Sequence, residues 1–275
     1  MLRLRIETRA RRASEPGRQA SRDSCPLSQC QSAAARGFIE IGFTEHYDLN
    51  PVDTCYDWLK ADAWYAEIER CRRLFEGQLT IRAGVEFSEP HIYLQGVQTL
   101  LSRLPFDYVI GSLHYVGAEL IFSQEYYRLR TADQAFQDYF TELEQMTRIG
   151  DFDVLGHLDI PALTAKLIYG EYDPCRYEAI IRAVLRNCIE RCIVLEVNSQ
   201  GLRKPTHLLV PGEEIPRWYV EMGGDTISLG SDAHTSDQMG MHLEAAVQTA
   251  REAGLKTLTC FEQRQRRQIP LPETA

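Results

Sequence analysis

Histidines and acidic residues recur at the ends of short apolar runs in this chain, and their spacing restricts the fold more than any other feature. Thr226-Ile227-Ser228-Leu229 reads as a buried strand and runs into Gly230-Ser231-Asp232-Ala233-His234. Residues two apart in extended backbone project to the same side, so Asp232 and His234 share one side of the strand end. Similar runs lead into His46, Glu86, His114, His157 and Asn198. The positions 46, 86, 114, 157, 198 and 232 are separated by 40, 28, 43, 41 and 34 residues. A βα unit takes roughly 30 residues or more, so each gap is about one unit.

The segments between these points have helical patterns. They cover residues 57–77, 91–104, 131–149, 174–190, 213–222 and 238–253, with Thr131 as an N-cap for the third. Ala33 to Gly37 reads as the last turn of a helix closed by glycine. Strands are expected at 38–43, 79–87, 106–110, 154–155, 192–197, 226–229 and 256–260, with a polar tail at 262–275 that frays. Strand–helix alternation of this kind implies an α/β fold with a parallel sheet. In such folds the carboxyl ends of the strands carry the active site, and a closed barrel would aim all six positions at one mouth.

Four of the seven histidines (46, 114, 157 and 234) sit at strand ends beside Glu86 and Asp232. One such histidine would be an ordinary hydrogen-bonded residue. Four in register with two carboxylates point to divalent metal ions. Imidazole and carboxylate donors without paired thiolates suit Zn, Mn or Fe. Ligands beyond four imply more than one ion with bridging carboxylates, a site that activates water and clamps a phosphoryl group. Arg203 and Lys204 follow the strand end at Asn198 and a glycine turn. They either hold a phosphate at the same mouth or form a solvated basic turn. Asp159, two residues after His157, is a candidate to orient that ring. His91 and His242 read as surface residues, and His207, four after Arg203, more often falls short of the rim than reaches it.

Bulk properties exclude other classes. The net charge of −9 argues against a nucleic-acid surface, and no apolar run approaches the ~20 residues that span a bilayer. The eight cysteines form no CxxC pair, which fits reduced thiols in a cytoplasmic protein. Residues 1–36 carry a net charge of +5, with eight arginines and no lysine, against −14 for the remainder. The composition changes abruptly at Ala33. A shifted reading frame or misassigned start, a targeting peptide and a divergent native segment would each leave such a stretch. The expectation is disorder over 1–32, with the barrel itself in 33–261.

The motifs Gly42-Phe43-Thr44-Glu45-His46, Gly84-Val85-Glu86, Ile110-Gly111-Ser112-Leu113-His114, Gly156-His157-Leu158-Asp159, Asn198-Ser199-Gln200-Gly201-Leu202-Arg203 and Gly230-Ser231-Asp232-Ala233-His234 together resemble the PHP-type histidinol-phosphatases. The resemblance covers about residues 33–260. It implies a distorted (β/α)7 barrel with up to three metal ions at its mouth. It also implies hydrolysis of a small phosphorylated substrate, L-histidinol phosphate, by a metal-activated water in histidine biosynthesis. On this resemblance Glu86 bridges two ions, His114 and His157 join it on one, Asp232 serves the ion across the bridge, and His46 and His234 hold the third. Glu86, Asp232 and His234 are then the catalytic residues, and Asn198, Arg203 and Lys204 contact substrate. The family opens with a His-x-His strand, whereas this chain has no histidine before His46. The first strand is therefore expected to be absent or non-native, and only Glu86, His114 and His157 keep a full set of protein ligands for one ion.

Overall fold

A computed structural model describes residues 5–9 as backbone and residues 25–272 in full. Among the described residues, seven parallel strands close into a barrel. They are β1 (Arg5–Arg9), β2 (Glu40–Tyr47), β3 (Thr80–Ser88), β4 (Tyr108–Ser112), β7 (Val154–Leu155), β8 (Val194–Asn198) and β9 (Thr226–Gly230). Pairing runs in that order, and β1 joins β9 at Glu7–Gly230 to complete the ring. The (β/α)7 architecture is as the motifs implied.

Of the two expected alternatives, a first strand absent or non-native, the pairing excludes the first. Arg5–Arg9 lies along Glu40–Thr44 of β2 and bridges to β9, so the slot is filled. Ladder pairing uses backbone N–H and C=O groups, which an Arg-rich stretch supplies as well as any other. The helix α1 (Pro26–Ala35) also begins inside the segment expected to be disordered, with Pro26 in its first turn and Gln29, Cys30 and Ala33 buried. The remainder of that expectation, residues 1–4 and 10–24, lies outside the described residues.

Helices wrap the barrel. They are α2 (Ala61–Leu74), α3 (Leu94–Arg103), α5 (Ala132–Ile149), α7 (Glu178–Glu190), α8 (Glu214–Glu221) and α9 (Leu243–Glu252). Each is shorter than its sequence pattern, most of all where turns at 51–60 and 235–242 take up the excess. On α7 the residues Ile181, Val184, Leu185 and Cys188 are buried, the i, i+3, i+4, i+7 stripe of a helix on a core. Sequence periodicity does not separate a short hairpin β5–β6 (Tyr115–Val116, Glu119–Leu120) or the helices α4 (Gln124–Arg128) and α6 (Pro161–Tyr169). No described helix is long and apolar enough to cross a membrane.

Thr131 caps α5, in keeping with its sequence position. Its hydroxyl accepts from Gln134 N–H at 3.3 Å, and the Gln134 side chain accepts from Thr131 N–H at 2.9 Å. Thr131→Ala is expected to cost about 1 kcal/mol, measured as a shift in the urea midpoint.

The N-terminal end of the barrel is sealed by Tyr108, Ile110, Val154, Val194 and Phe261. Tyr108 lies across Gly42 and Gly84, where any Cβ would collide with its ring or hydroxyl. Phe261 belongs to β10 (Thr257–Glu262), which pairs with β9 and then with the antiparallel β11 (Gln265–Pro270). Much of the tail expected to fray, Gln265–Pro270, is thus a strand, and residues 273–275 lie outside the described residues. Its turn places Gln263 and Arg264 at φ +48° and +62°, a conformation usually left to Asn-Gly. Contacts to the barrel base hold it. Arg264 N–H donates to Asp107 C=O at 2.7 Å, and the guanidinium grips Asp153 at 3.0 Å and Asp151 at 2.7 Å.

Candidate metal centre

The barrel register brings the predicted residues into one layer at the C-terminal mouth. His46 on β2 pairs directly with Glu86 on β3, and Ser88 pairs with Ser112 on β4. His114 follows Ser112 by two residues and continues the inward side of its strand, whereas in β7 it is Val154 that faces the barrel interior and Leu155 the helices, so His157 reaches the mouth through its turned backbone at φ +26° and not by simple alternation. Glu86 is fully buried at the centre of the group. Its Oε1 lies 3.3 Å from His157 Nε2 and 3.6 Å from His114 Nε2, and its Oε2 lies 3.3 Å from His46 Nδ1.

Those separations bear on what the group can hold. They exceed the 2.7–3.2 Å of an N–H···O hydrogen bond. Two donors at 2.0–2.1 Å from one tetrahedral ion stand roughly 3.4 Å apart. Glu86, His114 and His157 therefore have the spacing of ligands around a common ion, and all three are buried. A second three-donor group, His46, Asp48 and His114, shares His114 with the first.

The supports are specific. Ser112 donates to Glu86 Oε1 at 2.5 Å. Glu196 of β8 accepts the His157 N–H at 2.7 Å through Oε2 and the Asn198 amide at 3.1 Å through Oε1. His157 sits at φ +26°, a strained setting that this bond helps hold. Glu89, buried beyond β3, accepts the N–H groups of His114 and Tyr115 at 2.7 and 3.0 Å. Burial pushes its carboxyl up to about 8 against the pull of those two bonds.

Other predicted residues lie apart from these two groups. Asp232 and His234 form a pair, with Nδ1 3.5 Å from the carboxylate and 3.0 Å from the Asp232 carbonyl. A carbonyl can only accept, so His234 Nδ1 is the donor in that bond. Gln200 donates to Asp232 Oδ2, and Arg203 Nη2 donates to the Asp232 carbonyl at 2.9 Å. Arg203 Nη1 is buried and has no partner among the described residues. Asn198 is buried in the barrel, bonded to Glu196 and to Gln200 N–H at 2.9 Å, and Lys204 is exposed.

Two expectations change. Asp159 accepts from Gly212 N–H at 3.4 Å, so Glu196 takes the role of fixing His157, through its backbone. His91 is not a surface residue. It is buried beneath α5 with Nε2 2.7 Å from Glu142, a helix that nothing in its local sequence announces. Sequence reasoning misses Ser88, Ser112, Glu89 and Glu196 as supports. The available signal is the two-residue spacing of Ser88 from Glu86 and of Ser112 from His114. Glu196 is marked by being an acid inside an otherwise apolar strand.

Comparison with known proteins agrees with this geometry. The PHP domain family matches residues 24–200. A probable histidinol-phosphatase of Deinococcus radiodurans is 31% identical over 243 residues, 85% of this chain and 89% of that protein. A histidinol-phosphatase of Lactococcus lactis is 24% identical over 249 residues, 88% of this chain and 90% of its own length. The crystal structure of histidinol phosphate phosphatase from Lactococcus lactis, complexed with Zn, L-histidinol and phosphate, superposes with a TM-score of 0.84. It is 21% identical and covers 96% of this chain and 99% of that one. A barrel of seven parallel strands with imidazoles and a carboxylate gathered at its mouth, matched over most of its length, belongs to the PHP family, among the histidinol-phosphatases.

Proposed function

We propose that this chain hydrolyses L-histidinol phosphate to L-histidinol and inorganic phosphate, using a divalent ion held by Glu86, His114 and His157. The observation that carries this reading is the closeness of those three buried donors, with Glu86 Oε1 3.3 Å from His157 Nε2 and 3.6 Å from His114 Nε2. When bound, the ion lowers the pKa of a water and offsets charge on the phosphoryl oxygens. The chain's own residues supply the rest. Ser112 and Glu196 hold Glu86 and His157 in place, and Arg203 offers Nη1 to a phosphate oxygen from a guanidinium already anchored on Asp232. His234, with Nδ1 turned to the Asp232 carbonyl, presents Nε2 beside that anchor, placed to exchange a proton with the leaving oxygen or to bind a further ion.

One tightly held ion is the reading favoured here over three. Arg5–Arg9, the strand that fills the first barrel slot, contains no histidine. His114 is common to both three-donor groups, and its Nδ1 already lies 2.7 Å from Ser88, which leaves Nε2 for one ion.

Elemental analysis after loading with Zn, Mn or Fe(II), paired with phosphate release from L-histidinol phosphate, tests this reading. The expected result is about one ion per chain and turnover above the metal-stripped protein. Loss of turnover with the ion still bound favours a second reading, a barrel that binds a phosphorylated ligand without hydrolysing it. The altered first strand is the observation behind that alternative. Turnover of other phosphomonoesters at rates above L-histidinol phosphate would move the substrate assignment elsewhere in the superfamily.

A further inference from the structure

Asp48, Ser88 and His114 form a buried chain beside the candidate ion. Ser88 donates its hydroxyl hydrogen to Asp48 Oδ1, and the same hydroxyl oxygen lies 2.7 Å from His114 Nδ1. The three residues are 1%, 2% and 2% exposed. Strand geometry puts them together. Asp48 stands two residues beyond His46, Ser88 two beyond Glu86, and His114 two beyond Ser112, while His46 pairs with Glu86 and Ser88 with Ser112. Each therefore continues the inward side of its strand, Ser88 as the last rung of the β3–β4 ladder and Asp48 and His114 just beyond their ladders.

A hydroxyl has one hydrogen to give. With that hydrogen on the Asp48 carboxylate, Ser88 Oγ faces His114 as an acceptor, and Nδ1 is the protonated nitrogen of the ring. Nε2 is left as a lone pair, and Nε2 is the atom 3.6 Å from Glu86 Oε1. An imidazole binds a metal only through an unprotonated nitrogen. A carboxylate behind the opposite nitrogen fixes the ring and raises the basicity of the donor. The geometry points to Asp48, acting through the Ser88 hydroxyl, as the positioning residue that sets the tautomer and donor strength of His114. This inference rests on the metal reading of Glu86, His114 and His157, and is independent of which phosphate ester is cleaved.

Asp48 also belongs to the group His46, Asp48 and His114, so direct ligation by Asp48 is the competing arrangement. The two differ in what Ser88 does. A relay runs through its hydroxyl, whereas a direct ligand does not need it.

The test is zinc affinity by competition against a chromophoric chelator, with zinc per chain by elemental analysis, on the full chain. Ser88→Ala and Asp48→Asn are each expected to weaken zinc binding by about tenfold or more without changing the number of ions held. The double variant is expected to be no weaker than the worse single variant, since both interrupt one connection. Ser88→Thr, which keeps the hydroxyl, should restore the parent affinity and shows that loss in Ser88→Ala is not misfolding. Parent affinity in Ser88→Ala overturns the relay. So do additive losses in the double variant, or loss of an ion in Asp48→Asn alone, which would make Asp48 a ligand. Zinc shifts as expected without phosphate release would leave the relay standing and remove the hydrolase reading. A parent chain whose zinc affinity matches that of Glu86→Gln would remove both.

Discussion

Replacing His157 with alanine should empty the metal centre and lower phosphate release by about a thousandfold or more, a loss of roughly 4 kcal/mol of transition-state stabilisation. Three protein donors are the minimum of a catalytic zinc site, and the variant leaves two. His157 Nε2 is 3.3 Å from Glu86 Oε1, so its removal takes one corner from the group rather than a peripheral contact. The fold should persist. His157 serves the barrel through its backbone, with N–H on Glu196 at 2.7 Å and C=O accepting from Ile160 N–H at 2.9 Å, and alanine keeps both. The φ of +26° strains either residue. Truncating a buried ring is expected to cost a few kcal/mol, about 3 or less, visible as a lower urea midpoint with an unchanged far-UV spectrum. Zinc content and phosphate release should fall together. Activity near that of the parent would take His157 out of the ligand set and the metal reading with it.

The centre is legible in the sequence because two simple periods superimpose. Parallel strands place one carboxyl end per βα unit at the same mouth, and the pleat puts alternate residues on the inward side. His46, Glu86 and His114 obey both rules, and the ladder registers His46 beside Glu86; His157 obeys only the first, since Val154 is the inward residue of its strand and a backbone turn at φ +26° brings the ring to the mouth. Asp232 and His234 obey them too, yet stand as a separate pair, because backbone alternation fixes a side and not a distance. Supports are harder to see. A serine two residues from a ligand, such as Ser88 or Ser112, looks like any strand serine until its hydroxyl is found on an imidazole or a carboxylate. The first strand and the last hairpin are hidden for a different reason. Arg5–Arg9 and Gln265–Pro270 pair through backbone groups that composition does not reveal. The Gln263–Arg264 turn is imposed by Asp107, Asp151 and Asp153, which are distant in sequence. His91 reads as a surface residue because nothing local shows that α5 lies over it with Glu142.

Gly230→Ala should be strongly destabilising, and it ties the stability of the barrel to the metal centre. A Cβ at residue 230 would overlap Glu196 Oε1, and would lie 2.7 Å from its Cδ and 3.1 Å from Asn198 Nδ2. Glu196 has little room to yield. It is 1% exposed inside the barrel, and each of its oxygens is already engaged, one by Asn198 and one by His157 N–H. Displacing it combines overpacking with the loss of hydrogen bonds to a buried carboxyl group, for a cost of about 3 kcal/mol. In a chain of this size that corresponds to a fall in Tm of roughly 5 °C. Gly77→Ala is the informative contrast. Gly77 sits at φ +75° with nothing within 4 Å of where an added methyl would stand, so it meets only the left-handed backbone penalty of about 1–2 kcal/mol. The larger loss at Gly230 would then reflect close approach and not conformation. It should also reach the ion, because the carboxyl group pushed aside is the one that holds the His157 backbone. Zinc affinity is expected to weaken in Gly230→Ala and to stay at the parent level in Gly77→Ala. Parent-like melting and zinc binding in Gly230→Ala would mean that Glu196 moves without consequence, and that His157 is placed by something other than the bond between them.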